Sequence, residues 1–356
     1  MNKPPYRVPS MREIETIPWN GFNVVSTFSG TGGSCLGYRM AGYRVLWANE
    51  FIPAAQECYK ANHPDSILDK RDVRQIKPED ILKATGLGIG EIDIFDGSPP
   101  CAAFSESGKK EKGWGSTKKY SDTTQRVDDL FFEYARLIKG TQPKIFIAEN
   151  VSGLVKGVAK GYFLQILEAL KSCGYDVRCR LLDARWLGVP QTRQRTIFVG
   201  VRNDIKICPV HPIPLTYSYV ARDAISNIDD DTSSFHPLPD GKILALYNES
   251  KRIGSSYFYE AHQNLYGRPS FFNHKRLRWE HPSYTICQGT QCTYHPDLPR
   301  SLTINEVKRV CAFPDDFILK GTFAQQWERL GRAVPPLMMK AIASTVETEI
   351  LKALRS

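Results

Sequence analysis

The sequence predicts an α/β protein with a doubly wound, Rossmann-like sheet and a second, smaller domain. Between residues 22 and 205, short apolar runs typical of strands alternate with segments of helical periodicity. Polar or glycine-rich residues follow several of these runs, as they do at the ligand-binding edge of open α/β sheets. After residue 205 the alternation stops, and prolines, aromatic residues and basic residues dominate up to about residue 281.

Strands and helices can be placed in order along the first domain. The strands are predicted at Asn23–Thr27, Arg44–Ala48, Ile92–Asp96, Ile145–Ala148, Asp176–Leu182 and Thr196–Val201, and the helices at Asp128–Ile138 and Tyr162–Ser172. An alternating order of this kind favours right-handed crossovers between the strands. Residues 108–125 differ because they are rich in lysine, glycine, serine and threonine around Trp114, and they predict a long mobile loop.

The C-terminal part returns to helical patterns. Thr303 and Glu306 have the spacing of a capping box, and a final helix is predicted at about Pro336–Leu354, packed on the first domain. We therefore expect four parts: an N-terminal extension over residues 1–21, a first domain over 22–205, a second domain over 206–297, and a segment over 298–356 that returns to the first domain.

Charge and composition limit the classes of function. The net charge of +9 suits a polyanionic partner such as nucleic acid. No apolar run approaches the roughly 20 residues that cross a bilayer, and the first residues lack a signal-peptide pattern, so we expect a soluble, cytoplasmic monomer with no membrane partner. The nine cysteines follow no regular spacing, which argues against a disulfide framework and against a zinc or other metal site.

A cysteine and a glutamate follow two of the predicted strands. Pro100-Cys101 comes shortly after Ile92–Asp96, and Glu149 comes directly after Ile145–Ala148. A thiol at the carboxyl end of a strand is a candidate nucleophile, although most intracellular cysteines are buried and inert. A nearby acid at the same edge of the sheet makes the catalytic interpretation the stronger one.

A glycine-rich turn, Phe28–Gly33, follows the first predicted strand. Its glycines permit a tight bend and a close approach of the backbone to a ligand, but it matches neither a P-loop nor the GxGxxG motif. Glu50 ends the second strand, where a carboxylate can accept hydrogen bonds from ribose hydroxyls. Asp72 has a similar position, and for both acids a solvated strand end is the alternative interpretation.

A basic segment precedes the last predicted strand. Alternation along a strand would place Gln191, Arg193 and Arg195 on one face. Two arginines on a shared face suit an anionic ligand or the edge of a base. A solvated basic strand edge is the alternative.

Together these motifs resemble those of the bacterial and phage DNA cytosine-5 methyltransferases, in the same order and from about Asn23 to the C-terminus. The matching segments are Phe28–Gly33, Glu50, Asp72, Pro100-Cys101 with Phe104-Ser105, Glu149–Val151, Gln191–Arg195, Arg300–Thr303 with Glu306 and Phe313-Pro314, and Gly331–Val334. The resemblance implies a Rossmann-like methyltransferase sheet in the first domain. It also implies that the second domain recognises the target in double-stranded DNA, in the nucleoid of a bacterial or phage-infected cell.

The resemblance further implies a binding site for S-adenosylmethionine. The residues that it assigns to the cofactor are Phe28, Gly30, Gly32, Gly33, Glu50, Phe51, Asp72, Pro100, Arg332 and Val334. In this assignment Glu50 binds the ribose and Asp72 contacts the adenine.

The implied catalytic residues are Cys101, Glu149, Arg193 and Arg195. The Cys101 thiolate adds to C6 of cytosine, which makes C5 nucleophilic, while Glu149 holds or protonates N3. Arg193 and Arg195 bind the O2 atom of the base. Because this chemistry is blocked inside a stacked duplex, the cytosine must flip out, and residues 108–125 are implied to close over it.

Two positions depart from the family pattern. Ala102 stands where the family usually has glutamine, and Arg332 stands where it has asparagine. A buried guanidinium needs an anion, so Arg332 predicts a facing protein carboxylate, an outward-turned side chain, or a donor with an additional carboxylate. Carboxy-S-adenosylmethionine is such a donor, and with it the enzyme would transfer a carboxymethyl group.

Two further functions stay open at this stage. One branch of the family modifies transfer RNA, although the large segment after Asp204 favours DNA. A catalytically silent DNA-binding protein is the other possibility, and the presence of Cys101, Glu149 and Arg193 argues against it.

Overall fold

The computed structural model describes residues 3–100, 117–119, 124–126, 129–155, 160–228, 241–288 and 292–355. Within these residues the longer strands form one seven-stranded sheet, and two small two-stranded sheets lie apart from it. No helix in the described ranges is long and apolar enough to cross a membrane.

The large sheet is mostly parallel. The strands of the chain are β1 (Asn23–Thr27), β2 (Arg44–Asn49), β3 (Ile67–Asp69), β4 (Ile94–Gly97), β5 (Thr117–Lys119), β6 (Thr124–Arg126), β7 (Ile145–Val151), β8 (Tyr175–Asp183), β9 (Gln194–Arg202), β10 (Lys275–Arg276) and β11 (Thr293–Tyr294). The order in the large sheet is β3-β2-β1-β4-β7-β9-β8. Only β9 runs antiparallel to its neighbours β7 and β8.

Helices cover both faces of this sheet. The helices of the described residues are α1 (Met11–Glu15), α2 (Gly33–Met40), α3 (Pro53–Asn62), α4 (Pro78–Thr85), α5 (Leu130–Thr141), α6 (Lys160–Ser172), α7 (Ala221–Ile225), α8 (Lys242–Arg252), α9 (Phe258–Tyr266), α10 (Ile304–Val310), α11 (Phe323–Arg332) and α12 (Pro336–Val346). Residues of α2 and α12 share a core with one face of the sheet, and residues of α5 and α6 share a core with the other.

The strand sequences explain why both faces are covered. In β1, Val24 belongs to the core beneath α2 and α12, whereas Val25 belongs to the core beneath α5 and α6. Phe146 and Ile147 of β7 divide between the two cores in the same way. A run that is apolar at successive positions is stable as a strand only when both of its faces are buried.

The structure confirms the predicted strands, with shifted ends. The first strand matches residue for residue, the predicted Ile92–Asp96 is observed as Ile94–Gly97, and the last strand begins at Gln194. The short β3 was not predicted, and its first residue, Ile67, is exposed. The predicted loop over residues 108–125 contains β5 and part of the hairpin strand β6, while residues 108–116 lie outside the described residues.

The region between residues 206 and 297 contributes to two cores. Leu246, Tyr247, Phe258, Ala261 and Tyr294 form a small core of their own. Other residues of the region pack instead with α10 and α11, namely Ala221, Ala224, Ile225, Leu277 and Ile286. The second domain therefore has its own small centre but is also joined to the C-terminal segment, and its boundaries at 206 and 297 stay a prediction.

Helix α12 of the C-terminal segment packs with the core of the first domain. The capping box that begins α10 is present, since the Glu306 amide donates to Thr303 Oγ1 at 3.2 Å and the Thr303 amide donates to a Glu306 carboxylate oxygen at 2.7 Å. Helix α12 packs on α2, and Tyr43 donates its hydroxyl to the Ala343 carbonyl at 3.0 Å. The helix ends at Val346, earlier than predicted, and a π-helical turn continues from Glu347 to Leu351.

The start of α2 touches the C-terminal segment directly. A Cβ atom at Gly33 would lie 2.4 Å from the Val334 carbonyl oxygen, a distance that real Cβ contacts do not reach. The neighbouring contacts would also be tight, with Phe313 at 3.0 Å and the Ala333 side chain at 3.2 Å. The absence of a side chain at Gly33 thus permits the glycine-rich turn and residues 333–334 to lie against each other.

A buried carboxylate joins β4 to β1 and α2. Asp96 is 2% exposed, and its carboxylate oxygens accept hydrogen bonds from Ser26 at 2.8 Å, Ser34 at 2.9 Å and Tyr38 at 3.2 Å. Burial raises the pKa of Asp96 to about 6, while the three hydroxyl donors oppose this shift and the negative charge of Glu149 adds to it. Hydroxyl groups of β1 and α2 are therefore the hydrogen-bond partners of a buried carboxyl group in β4.

Replacing Gly33 by alanine should destabilise the protein by about 1–3 kcal/mol, the usual range for overpacking a tight site. The added methyl group would push residues 333–334 away from the turn. Urea unfolding measures the change. Gly161→Ala in α6 is the matched control because its Cβ would meet nothing within 4 Å, and it should leave stability equal or slightly higher. Equal stability of Gly33→Ala and the wild type would contradict the tight contact.

Replacing Asp96 by asparagine should make stability less dependent on pH. The pKa of Asp96 is about 6 in the folded protein and about 3.9 in an unfolded chain. Between these values the folded state holds a proton that the unfolded state has lost, so wild-type stability falls as pH rises from 4 to 6. From pH 4 to pH 6, the free energy of unfolding of Asp96→Asn relative to that of the wild type should therefore rise by up to about 3 kcal/mol. Urea unfolding of both proteins at pH 4.5, 5.5 and 7 tests this, and a constant difference would contradict it.

Candidate functional site

A cavity of about 670 Å³ lies at the carboxyl ends of β1, β2, β4 and β7. Many separate parts of the chain line it. The residues that matter below are Phe28, Gly30, Gly33, Glu50, Phe51, Val73, Asp96, Pro100, Glu149, Asn150, Arg193, Arg195, Lys275, Tyr284, Arg329, Arg332 and Val334. The sheet edge that the sequence predicted as the ligand site is therefore a real concavity. Its volume is in the range of ordinary ligand sites.

Glu50 lies at the floor of one half of the cavity. Its two carboxylate oxygens each accept a backbone hydrogen bond of 2.7 Å, one from the Gly30 amide and one from the Ile52 amide. Burial raises the pKa of Glu50, whereas these two amides and the positive charges of Arg332 and Arg329 lower it. One carboxylate therefore binds two parts of the backbone: the glycine-rich turn after β1, and the start of α3.

The glycine-rich turn forms the wall beside Glu50. Phe28 adopts a left-handed backbone with φ of 55°, a strained conformation for a residue with a side chain, and it lines the cavity. Gly30 and Gly33 also line the cavity, as predicted. Gly32 does not; it has φ of 93°, and its Cβ would lie 2.2 Å from His63 Nε2, so its requirement for glycine is structural.

Asp72 differs from its prediction because its side chain does not line the cavity. Its Oδ1 accepts a hydrogen bond from the Arg74 amide at 3.0 Å, which caps the short helix Val73–Gln75, and its Oδ2 pairs with Arg74 at 3.1 Å. The next residue, Val73, lines the cavity instead. Sequence position alone did not separate a capping carboxylate from a ligand-binding one.

Glu149 and Arg195 form an ion pair in the other half of the cavity. Arg195 Nε lies 2.7 Å from Glu149 Oε1, and both side chains are largely buried. Antiparallel pairing of β7 and β9 brings them together, because Val151 pairs with Arg195 and Glu149 pairs with Ile197. A guanidinium and a carboxylate that share one wall can bind neighbouring polar atoms of a flat ring.

Arg193 has a different position from Arg195. It is 2% exposed, and its guanidinium donates to the carbonyls of Gly331 and Ala333, both at 2.9 Å, and of Ile286 at 3.2 Å. The prediction of a shared strand face is wrong because β9 begins only at Gln194, so Gln191 and Arg193 precede it. Burial lowers the pKa of Arg193 to about 9, and the nearby charge of Arg195 adds to this effect.

Asn150 holds the segment that leads to the predicted nucleophile. Its side-chain amide donates to the Pro99 carbonyl at 3.1 Å, and its Oδ1 accepts from the Val151 amide at 2.8 Å. Pro100 lines the cavity as predicted. Cys101, Ala102 and Phe104-Ser105 lie outside the described residues.

Arg332 lies near a protein carboxylate, which is one of the three alternatives that the sequence left open. Its guanidinium lies 3.4 Å from Glu328, one turn earlier in α11, and its side chain is 22% exposed at the cavity wall. Glu328 also lies 3.6 Å from the buried Arg329. The facing anion is thus a protein carboxylate, and the spacing of four residues between Glu328 and Arg332 was a readable signal for it. Val334 lines the same wall, as predicted.

Several cavity residues were not predicted. Asp96 ended a predicted strand and Asn150 belonged to the Glu149–Val151 motif, both without an assigned role, and Arg329 precedes the motif that contains Arg332. Tyr284 and Thr285 reach the cavity from the second region. Thr285 donates its hydroxyl to the Thr192 carbonyl, a long-range contact for which the sequence has no local signal.

The comparisons with known proteins identify the family of the chain. A family model described as C-5 cytosine-specific DNA methylase matches residues 22–348. The type II methyltransferase M.FnuDI of Fusobacterium nucleatum is 31% identical over 352 residues, which cover 91% of this chain and 94% of that protein. The type II methyltransferase M.NgoPII of Neisseria gonorrhoeae is 29% identical over 368 residues, with coverage of 95% and 98%.

Solved structures share the fold. A DNA modification methyltransferase encoded within a prophage (E. coli) matches with a TM-score of 0.69 and 22% identity, covering 92% of this chain and 99% of its own. DNMT2 of Spodoptera frugiperda matches with a TM-score of 0.64 and 17% identity, with coverage of 94% and 100%. The predicted Rossmann-like fold class is confirmed. Because the family model spans most of the sequence, the chain belongs to the C-5 cytosine-specific DNA methylase family and is a DNA cytosine-5 methyltransferase.

Proposed function

We propose that the protein transfers a methyl group from S-adenosylmethionine to C5 of a cytosine flipped out of double-stranded DNA, through a covalent bond between Cys101 and C6. The observation that carries the proposal is the Glu149–Arg195 ion pair beside Pro100, in the same cavity as Glu50 and the glycine-rich turn. The two halves of the cavity would then hold base and cofactor. We propose a monomer as the active unit.

The residues on the cofactor side fit S-adenosylmethionine. Each Glu50 oxygen accepts one backbone amide, which leaves lone pairs for the two ribose hydroxyls. A Cβ at Gly30 would meet nothing within 4 Å, so the turn leaves open space on that side. Phe51 and Val73 line the cavity with apolar surface that suits the adenine ring. When bound there, S-adenosylmethionine supplies an electrophilic methyl group.

The protein residues activate the base in this mechanism. The Cys101 thiolate forms a bond to C6, and the displaced ring electrons make C5 nucleophilic. Glu149 holds or protonates N3, so that the ring accepts the added electron density. After the methyl group is bonded to C5, a base removes the C5 proton. The electrons of the C5–H bond restore the C5–C6 double bond, and the Cys101–C6 bond breaks with its electrons leaving on the thiolate.

We assign the contact with O2 to Arg195 and a positioning role to Arg193. Arg195 lies beside Glu149, so its guanidinium is suited to stabilise charge at O2 while Glu149 acts at N3. The three carbonyl partners of Arg193 belong to the cavity walls. Arg193 therefore supports the reaction by fixing those walls.

Duplex DNA is the substrate that the charge favours. The protein carries a net charge of +9, and the cavity opens towards Lys275 and Asn273 of the second region. Phosphate contacts from basic side chains supply most of the sequence-independent affinity for DNA. A cytosine within a duplex has to leave the stack to reach Glu149.

Incubation of unmethylated genomic DNA with the protein and S-adenosylmethionine should yield 5-methylcytosine. Cys101→Ser should abolish the product because the weaker nucleophile does not add to C6. Mass spectrometry of the digested nucleosides measures it. The matched control is Cys208→Ser, at an exposed cysteine, which should retain wild-type yield. The proposal would be contradicted by methylation of transfer RNA but not DNA, or by full activity of Cys101→Ser. If neither nucleic acid yields a product, a catalytically silent DNA-binding protein would be favoured.

Arg332 supports a second candidate donor, carboxy-S-adenosylmethionine. Its guanidinium lines the cavity and its contact with Glu328 is long, at 3.4 Å. A carboxylate on the transferred group would give this guanidinium a further anion besides Glu328 and Glu50. The enzyme would then transfer a carboxymethyl group to C5 with the same protein residues.

Arg332→Asn should lower the ratio of carboxymethylated to methylated cytosine at least about tenfold when both donors compete, as expected for loss of one charge-assisted hydrogen bond. Nucleoside mass spectrometry gives the ratio. Glu328→Gln is the matched control, since it removes the protein anion and keeps the guanidinium, and the ratio should not fall. The absence of carboxymethylcytosine in the wild type would exclude this donor and leave the methyl reaction unaffected.

A further inference from the structure

Asp96 is a buried carboxylate in the cavity wall, and the proposed mechanism does not use it. It lies near the carboxyl end of β4, is 2% exposed and lines the cavity. Its Oδ2 accepts hydrogen bonds from the hydroxyls of Ser26 and Ser34, whereas its Oδ1 accepts one from the hydroxyl of Tyr38 at 3.2 Å. A carboxylate has about four acceptor sites, so Oδ1 retains the capacity for another hydrogen bond.

The charged side chain with the largest effect on Asp96 is another acid. Glu149 adds to the raised pKa of Asp96, and the hydrogen-bond partners of Asp96 in the described residues are neutral hydroxyls. Two other carboxylates of the cavity differ from it. Glu50 has the positive charge of Arg332 nearby, and Glu149 pairs with Arg195. Because a facing cation favours the charged form of a buried acid, Asp96 suits a ligand that brings a positive charge.

The position of Asp96 along the edge of the sheet indicates which part of a ligand it faces. The strand order is β3-β2-β1-β4-β7 in this part of the sheet. Glu50 and Phe51 follow β2, where the ribose and adenine are proposed to lie, and Glu149 belongs to β7, beside the flipped base. Since β4 lies between them, Asp96 faces the part of the donor between the ribose and the base. The two cations of S-adenosylmethionine, its sulfonium and its ammonium, belong to that part.

We propose that Asp96 binds the ammonium group of the methyl donor and thereby selects donors that carry this group. The proposal rests on the proposed function. An ammonium has N–H donors that a sulfonium lacks, so it can occupy the remaining acceptor site of Oδ1. The hydroxyls of β1 and α2 already orient the carboxylate, which lowers the entropic cost of binding the cation.

Two ligands that differ only in the ammonium group test the proposal by binding, without turnover. S-adenosylhomocysteine carries the group, whereas its deaminated analogue has hydrogen in that place and keeps the carboxylate. The wild type should bind S-adenosylhomocysteine at least about tenfold more tightly than the analogue, as expected for one hydrogen bond between charged groups. Asp96→Asn should reduce this preference to about threefold or less, because a neutral amide replaces the charged acceptor. Isothermal titration calorimetry at neutral pH gives each Kd.

Asp93→Asn is the matched control. Asp93 is also a buried acid, at 3% exposure, but it precedes β4 at the opposite end of the strand and does not line the cavity. The control removes the same charge and should retain the wild-type preference. The proposal would be overturned by a wild type without the preference, by an unchanged preference in Asp96→Asn, or by equal weakening of both ligands in that variant. A wild type that binds neither ligand would instead overturn the proposed function.

Discussion

The walls of the cavity depend on one buried cation. Arg193 binds the carbonyls of Ile286, Gly331 and Ala333, which come from two segments distant from it in sequence. Hydrogen bonds from a charged donor are stronger than those between neutral groups, so these segments are bound to the residue that precedes β9. The adjacent Gln191 reinforces the junction, because its side chain donates to the Val310 carbonyl and accepts from the Ile286 amide.

This junction explains how the chemistry can be divided among distant parts of the chain. The first domain supplies Glu50 and Glu149 from the carboxyl ends of β2 and β7, and Arg195 from the amino end of the antiparallel β9. Arg332 and Val334 come from the C-terminal segment. The contact between Gly33 and Val334 joins the same two parts at the glycine-rich turn. With the walls fixed at two points, the cavity is preformed before any ligand enters, which lowers the entropic cost of binding.

Much of the fold was predictable, but the roles of individual polar residues were less so. The strands of the sheet could be predicted from apolar runs. A parallel strand is buried on both faces, so its sequence is a continuous apolar segment. Asp72 and Arg193 were assigned from motif position, yet Asp72 caps a short helix and Arg193 precedes the strand that was expected to orient it.

The charges around the cavity divide into two kinds. Glu149 pairs with Arg195, and Glu328 lies near both Arg329 and Arg332. The charge-bearing groups of Asp96, Glu50 and Arg193 instead have hydroxyls, backbone amides and backbone carbonyls as hydrogen-bond partners.

Fixed dipoles solvate a buried group without bringing a second full charge to the reacting centre. The Glu149–Arg195 pair differs because its two groups bind each other only until a base enters the cavity. In the proposed mechanism, Glu149 and Arg195 give up their contact with each other and bind N3 and O2 of the flipped cytosine. The dipole-bound groups hold the walls in the meantime, so this exchange requires no rearrangement of the fold.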